Sequence, residues 1–343
     1  MDDSIRQHRR GDAVHRQGSR RRQRPRRPLL AAAAVAAMAM AASASVQAQA
    51  TANGEAVRFT GPLASSGPPL PKGLLNIEPY LINTQTVGRY DADGRRHDVD
   101  GASDDWQIAV PIQYGATDRL SFGVTLNAVY APDHGSQRHL IAGDTRLSAS
   151  WLLAQGSDAH QSKLTLSARQ NLTTGQHDRL ETRRNPGATG SGANSTTLAL
   201  DGQAHFLARN NLRARAGVAW RLPGARAGLH GESAYRTRDG FEGDAELGHG
   251  VVANLGAEYS INPNWALASD LVYEYDDAIR VRGRGVEGGV DVTLPSSWRV
   301  SVAPAAEYHW SDNAGVIFGA LVSLDGRNSA AIVSPQVAVN LVF

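Results

Sequence analysis

From about residue 73 to the C-terminus, apolar and polar residues alternate with a period of two. Trp106, Ile108, Val110, Ile112 and Tyr114 alternate with Gln107, Ala109, Pro111 and Gln113. Leu120, Phe122, Val124, Leu126, Ala128 and Tyr130 alternate with Ser121, Gly123, Thr125 and Asn127. The same rhythm runs through Leu212–Leu222 and Val251–Ile261. Successive side chains of a strand point to opposite faces, so each segment is a strand with one apolar and one polar face. Strands are expected near 75–87, 104–114, 120–130, 141–153, 163–172, 196–207, 212–222, 250–261, 265–275, 298–310, 315–324 and 332–343. That makes twelve, and the fold class is all-β.

The polar faces carry charges such as Arg213, Arg215 and Arg221, which a dry sandwich core would not accept unpaired. A soluble barrel turns its apolar face inward; a membrane barrel turns it outward to lipid and its polar face to the lumen. Periodicity alone does not choose, but length does. The segments run about 9–13 residues, the span of a tilted membrane strand, whereas soluble strands average about 5–6.

The turns add orientation. Tyr114-Gly-Ala-Thr-Asp118, Phe206-Leu-Ala-Arg-Asn210, Tyr259-Ser-Ile-Asn-Pro-Asn264 and Tyr308-His-Trp-Ser-Asp312 each place an aromatic at a strand end before a short polar turn. Aromatics at one level form an interfacial girdle, and these four turns are assigned to the periplasmic side. Between them fall longer polar connections at 88–103, 131–140, 173–195, 223–249, 276–297 and 325–331, expected to be extracellular. Val286–Leu294 also alternates, but a thirteenth barrel strand would send the C-terminus outward; it is placed inside the fifth loop.

The N-terminus reads as a targeting segment. A basic stretch ends at Arg27, followed by the uncharged run Leu29–Ala42 and the small residues of SASVQAQA. That order is a secretory signal peptide, with cleavage after Ala48 or, preferred, Ala50. The apolar run of about 14 residues is shorter than the ~20 of a spanning helix. Arg26-Arg27 faintly resembles a twin-arginine signal, but that route carries folded cargo, which a barrel precursor is not. Three regions result: a signal peptide at 1–50, a Pro/Gly-rich periplasmic lead segment at 51–72, and an outer-membrane β-barrel at 73–343. The chain is therefore expected in the bacterial outer membrane.

Charge and composition then remove alternatives. The formal net charge of +2 rests on ten arginines before residue 28; the remainder is acidic, so no nucleic-acid partner is inferred. The absence of cysteine excludes disulfides, thiolate metal sites and a lipidated N-terminal cysteine. Eleven scattered histidines form no helical metal pair, and no metal or cofactor is expected. No nucleophile or phosphate-loop motif is present, so no catalytic residue is assigned. Asp276-Asp277 could hold calcium in a loop, although a solvated acidic pair is the simpler reading.

The chain ends Val337-Ala-Val-Asn-Leu-Val-Phe343, an alternating strand closed by a terminal aromatic; Phe343 is read as the membrane-insertion signal. Expected partners are outer-membrane lipids, the barrel-assembly machinery and periplasmic chaperones during biogenesis, and a small-molecule solute.

Glu307-Tyr-His-Trp-Ser-Asp-Asn-Ala-Gly-Val-Ile-Phe-Gly319, Gly326-Arg-Asn328 and Pro335–Phe343 resemble a transporter-type outer-membrane family, grouped with the "meta-pathway of phenol degradation" proteins. Pro71-Lys-Gly73 through Glu78-Pro79-Tyr80 is similar to that family's first strand. The resemblance spans most of residues 70–343 and implies a porin-like channel for small molecules, aromatic ones among them. It supplies no catalytic residue. His309-Trp-Ser311-Asp-Asn-Ala-Gly315 is also similar to the His-x-Ser-x-x-Gly region of outer-membrane phospholipase A. Here, however, Ser311 falls in a periplasmic turn, whereas that enzyme works at the outer leaflet.

With apolar positions facing lipid, the lumen-lining residues are expected to be Glu78, Asp144, Arg146, Arg169, Asp201, Gln203, His205, Arg213, Arg215, Arg221, Glu258, Asp270, Glu274, Arg299 and Glu307. Asp201 is expected beside Arg213 and Arg215. Both charge signs are present, giving either a mixed-charge eyelet that orients solutes or a set of structural ion pairs. A barrel of about twelve strands lies between the packed eight-stranded and the open sixteen-stranded cases. The function expected is passive passage of small aromatic or hydrophobic molecules. The alternative is a closed structural or adhesive barrel acting through its loops, with 173–195 and 223–249 the most individual.

Overall fold

The computed structural model describes residues 63–343 except 65, 133–137, 158–159, 182–186, 208–210, 223 and 225. The expected signal peptide and residues 51–62 lie outside the described residues.

Eighteen strands follow one another among the described residues. The first nine are β1 (Leu75–Ile77), β2 (Tyr80–Tyr90), β3 (Arg96–Thr117), β4 (Leu120–Pro132), β5 (Arg138–Ala142), β6 (Thr145–Gln155), β7 (Lys163–Leu172), β8 (Ser195–Phe206) and β9 (Leu212–Arg221). Then come β10 (Ala227–His230), β11 (Glu242–Glu246), β12 (Gly250–Ser260), β13 (Trp265–Asp276), β14 (Ile279–Gly285), β15 (Gly288–Leu294), β16 (Ser297–His309), β17 (Ala314–Arg327) and β18 (Ala330–Val342).

One antiparallel sheet closes on itself. β18 pairs with both β1 and β2, and β3 with both β2 and β4, so the first and last strands seal the ring. β1 and β2 are two parts of one staves-length segment interrupted at Glu78-Pro79, because Pro79 has no N–H to give the ladder. β5 and β6 are likewise one stave, both paired to β4 and broken at Gly143-Asp144. Counted by stave, the barrel has twelve strands, and closure leaves no edge to bind another chain.

The orientation of the faces settles the solvent. Phe122 is 52% exposed and Leu255 60%, whereas Glu258, Asp270 and Glu307 are at most 1% exposed. Apolar side chains are outside and charged ones inside, the inverse of a soluble barrel. The aromatic turns gather at one end. Trp265 and Tyr308 lie 4.9 Å apart, and Phe206 lies 5.2 Å from His160. The termini of the barrel meet there too, with backbone bonds in both directions between Leu75 and Phe343.

Two departures from the sequence reading have a physical cause. The connection expected at 88–103 is mostly strand: β2 and β3 continue as a hairpin with Arg89 facing His97 and Tyr90 facing Arg96. Beyond the membrane neither face needs to be apolar, so alternation disappears while pairing persists. Val286–Leu294 lies outside the barrel, as expected, but its larger part is β15, paired with β14. Together with β10 and β11 they form a separate four-stranded sheet beyond the barrel mouth.

That sheet has its own core of Ala193, Ala227, Leu229, Tyr235, Phe241, Ala245 and Val281. The 173–195 connection is tied to it by Arg179 N–H to His230 O at 2.8 Å, Leu180 N–H to Glu232 O at 2.9 Å and the Tyr235 hydroxyl to Ser191 O. The two connections therefore fold together as a cap. Burial raises the Tyr235 hydroxyl to a pKa of about 12, so it remains a donor at any physiological pH.

Candidate functional site

The inward faces of β6–β9, β12, β13 and β16 carry most of the charged residues. Their level is set by strand register. Arg213 on β9 faces Glu258 on β12. Arg213 Nη2 donates to Glu258 Oε1 at 2.6 Å while Nε donates to Oε2, a two-pronged pair sealed from solvent. Arg215 lies 4.0 Å from the same carboxylate and donates through Nε to Gln203 Oε1 at 3.1 Å. His205 faces Arg213 across β8 and β9. Glu307 sits with its Oε2 3.3 Å from His309 Nε2. Glu78, between β1 and β2, accepts the Tyr80 hydroxyl at 2.7 Å.

Asp201 faces Gly217 rather than Arg213 or Arg215, whose shared carboxylate is Glu258. A Cβ at Gly217 would lie 2.3 Å from Asp201 Oδ1, so only glycine leaves room for this carboxylate. Asp201 Oδ2 has no hydrogen-bond partner among the described residues.

Nearer the cap the pairs are more open. Arg299 donates to Glu274 at 2.5 and 3.0 Å, and Arg221 donates to Asp276 at 2.7 Å. Asp144 accepts from Asn171 Nδ2, Gly175 N–H, Ser191 N–H and Ser191 Oγ at 2.8–3.0 Å. Of these, Asp144, Arg221, Glu274 and Asp276 border, with Arg146 and Arg169, a cavity of about 440 Å³ whose floor includes Ala64 and Ser66.

Residues 66–72, and Ala64 before them, reach those floor positions from the turn end of the barrel. Lys72 N–H approaches Asp118 Oδ1 at 3.4 Å, and Leu70 N–H donates to Ser121 Oγ at 2.8 Å. Further along, a Cβ at Gly67 would touch the Arg215 guanidinium at 3.5 Å. Ser66 Oγ accepts from Arg169 at 2.5 Å, and Ala64 N–H donates to Asp270 Oδ2 at 3.0 Å. Sequence reasoning missed Ala64, Ser66 and Ser121, since nothing in a Pro/Gly/Ser stretch marks contacts 51 to 206 residues away. It also missed Asp276 as the partner of Arg221, which only register reveals.

The remaining candidates resolve simply. Ser311 Oγ accepts the Asn313 N–H of its own turn at 3.3 Å, and the His309 ring is directed at Glu307. Asp277 accepts the Tyr275 hydroxyl at 2.7 Å. Among the described residues no group of three or more His, Cys, Asp or Glu could hold a metal ion.

No family model matches the chain, and no curated protein matches it in sequence. Solved structures do. An outer-membrane channel from Pseudomonas putida is 14% identical with a TM-score of 0.60, the match covering 83% of this chain and 100% of that one. This is an outer-membrane β-barrel. The toluene transporter TodX from Pseudomonas putida is 13% identical at a TM-score of 0.40, covering 83% of this chain and 95% of its own. Within the barrel, the ion pairs at the turn end are dry and those below the cap border open space.

Proposed function

We propose that this barrel is an outer-membrane channel for small aromatic or hydrophobic molecules, related to the transporter-type family its sequence resembles. The carrying observation is the cavity below the cap, bordered by charged side chains and floored by Ala64 and Ser66. Solute enters at the cap, and onward movement requires residues 63–72 to shift from Ser121, Arg169 and Asp270. The Arg213–Glu258 level acts as a structural ion-pair set, and the Arg146, Arg169 and Arg221 level contacts solute. Residues 1–50 act as the cleaved signal peptide, and Phe343 serves insertion through the assembly machinery.

The test is planar-bilayer conductance of refolded residues 51–343 beside a variant lacking 51–70. A small or absent conductance that rises several-fold on deletion supports the reading. If both proteins stay silent while migrating as folded barrels, the loop-based structural or adhesive role replaces it; the independent core of the cap favours that second reading.

A further inference from the structure

Three arginines and four carboxylates border the cavity below the cap, and the arginines are not all matched to them. Arg146 and Arg169 stand on adjacent strands, Arg146 facing Asn171 and Arg169 facing Ser148, which makes them diagonal neighbours on one face. Both border the cavity. Arg146 is solvent-exposed and makes no hydrogen bond or ion pair among the described residues. Arg169 donates to the neutral Ser66 hydroxyl.

Three of the four bordering acids are already engaged. Asp144 has four donors, Asp276 has Arg221 and Glu274 has Arg299. Two like charges side by side cost free energy unless an anion lies between them. Guanidinium groups bind carboxylates through paired N–H donors. Ala219, Leu247 and Val252 also border the cavity and supply apolar surface. Asp201, four residues along β8 from the Thr197 that faces Arg169, borders the same cavity and disfavours an anion at its own end.

We infer that Arg146 and Arg169 form a subsite for the carboxylate of a small amphipathic organic acid, an aromatic monocarboxylate in the simplest case. The ring rests toward Ala219, Leu247 and Val252. The inference deepens the channel reading, on which it rests for its biological meaning, by naming a charged head on the solute. A cavity of about 440 Å³ falls in the usual range of small-molecule sites, roughly 300–1,000 Å³. Because the carboxylate competes with Ser66 for Arg169, its arrival also loosens the hold on residues 63–72.

The experiment is equilibrium dialysis of radiolabelled benzoate against the refolded protein (residues 51–343) in a zwitterionic detergent, which needs no conductance. Saturable binding near one equivalent is expected. Arg146→Gln should weaken it at least tenfold, while Arg238→Gln, on the cap, should leave it unchanged. Benzyl alcohol, the uncharged analogue, should bind at least tenfold more weakly. Unchanged binding in Arg146→Gln, equal binding of benzyl alcohol, or displacement by chloride at equal concentration would each overturn the subsite. Retained benzoate binding with silent bilayers would overturn the channel instead and keep the subsite. A folded state for each variant is checked by heat-modifiable migration.

Discussion

Arg213 and Glu258 meet across β9 and β12 as a two-pronged ion pair with the carboxylate fully shielded from water. Removing one partner leaves the other charged and buried, which costs about 3–5 kcal/mol in comparable settings. Glu258→Gln should therefore lower the urea midpoint of the refolded barrel strongly. A double Arg213→Leu, Glu258→Leu variant should recover most of the loss. If Glu258→Gln unfolds at the wild-type midpoint, this pair is not a structural element of the barrel.

Gly217 and Asp201 make a second, steric relationship. A methyl at position 217 would overlap the Asp201 carboxylate and approach Asn254 Oδ1 at 3.0 Å. Overpacking of this kind costs roughly 1–3 kcal/mol. Gly217→Ala should destabilise by that amount, and Asp201→Ala in the same chain should relieve it. The interaction energy of the double-mutant cycle is the measurement; simple additivity would contradict the contact.

The inverted arrangement of faces makes its own prediction at Leu255. This side chain is outside the barrel near the middle of β12. An arginine at mid-membrane on the lipid face costs about 2–4 kcal/mol, so Leu255→Arg should fold poorly into bilayers. Leu255→Ala should fold nearly as wild type. Folding yield into liposomes, read by gel migration, separates them. Equal yields would mean the outer face does not meet lipid.

These positions also show what the sequence disclosed and what it withheld. The twelve staves were legible because each must turn an apolar face to lipid, so Leu255 and Tyr259 declare themselves by spacing alone. The hairpin joining Tyr90 to Arg96 was not, since it stands clear of the membrane and either face can be polar. β15 was visible as Val290, Val292 and Leu294, yet its partner β14 was hidden by the arginines at 280, 282 and 284, two of which pair with Asp291. For the candidate site, which residues are charged was legible and who pairs with whom was not. Asp201 and Glu258 are equally plausible partners for Arg213 until the shear of the barrel puts Gly217 opposite one and Arg213 opposite the other. Residues 63–72 lack any periodicity, because their contacts use backbone groups and small side chains.

The last prediction concerns that segment. Leu70 N–H donates to Ser121 Oγ at 2.8 Å, and the Ser121 hydroxyl approaches Leu70 O at 3.4 Å, so the two residues are neighbours on opposite sides of one contact. The chain has no cysteine of its own, and a Leu70→Cys, Ser121→Cys variant can therefore form a single, unambiguous disulfide. Oxidation should pin the segment to β4, and reduction should free it. If displacement of residues 63–72 opens the lumen, bilayer current should be lower in the oxidised than in the reduced protein. Addition of a reductant to the same membrane should raise it several-fold, while the wild type stays unresponsive. Identical currents in both redox states, with the disulfide verified by mass, would mean that solute and ions pass without moving the segment.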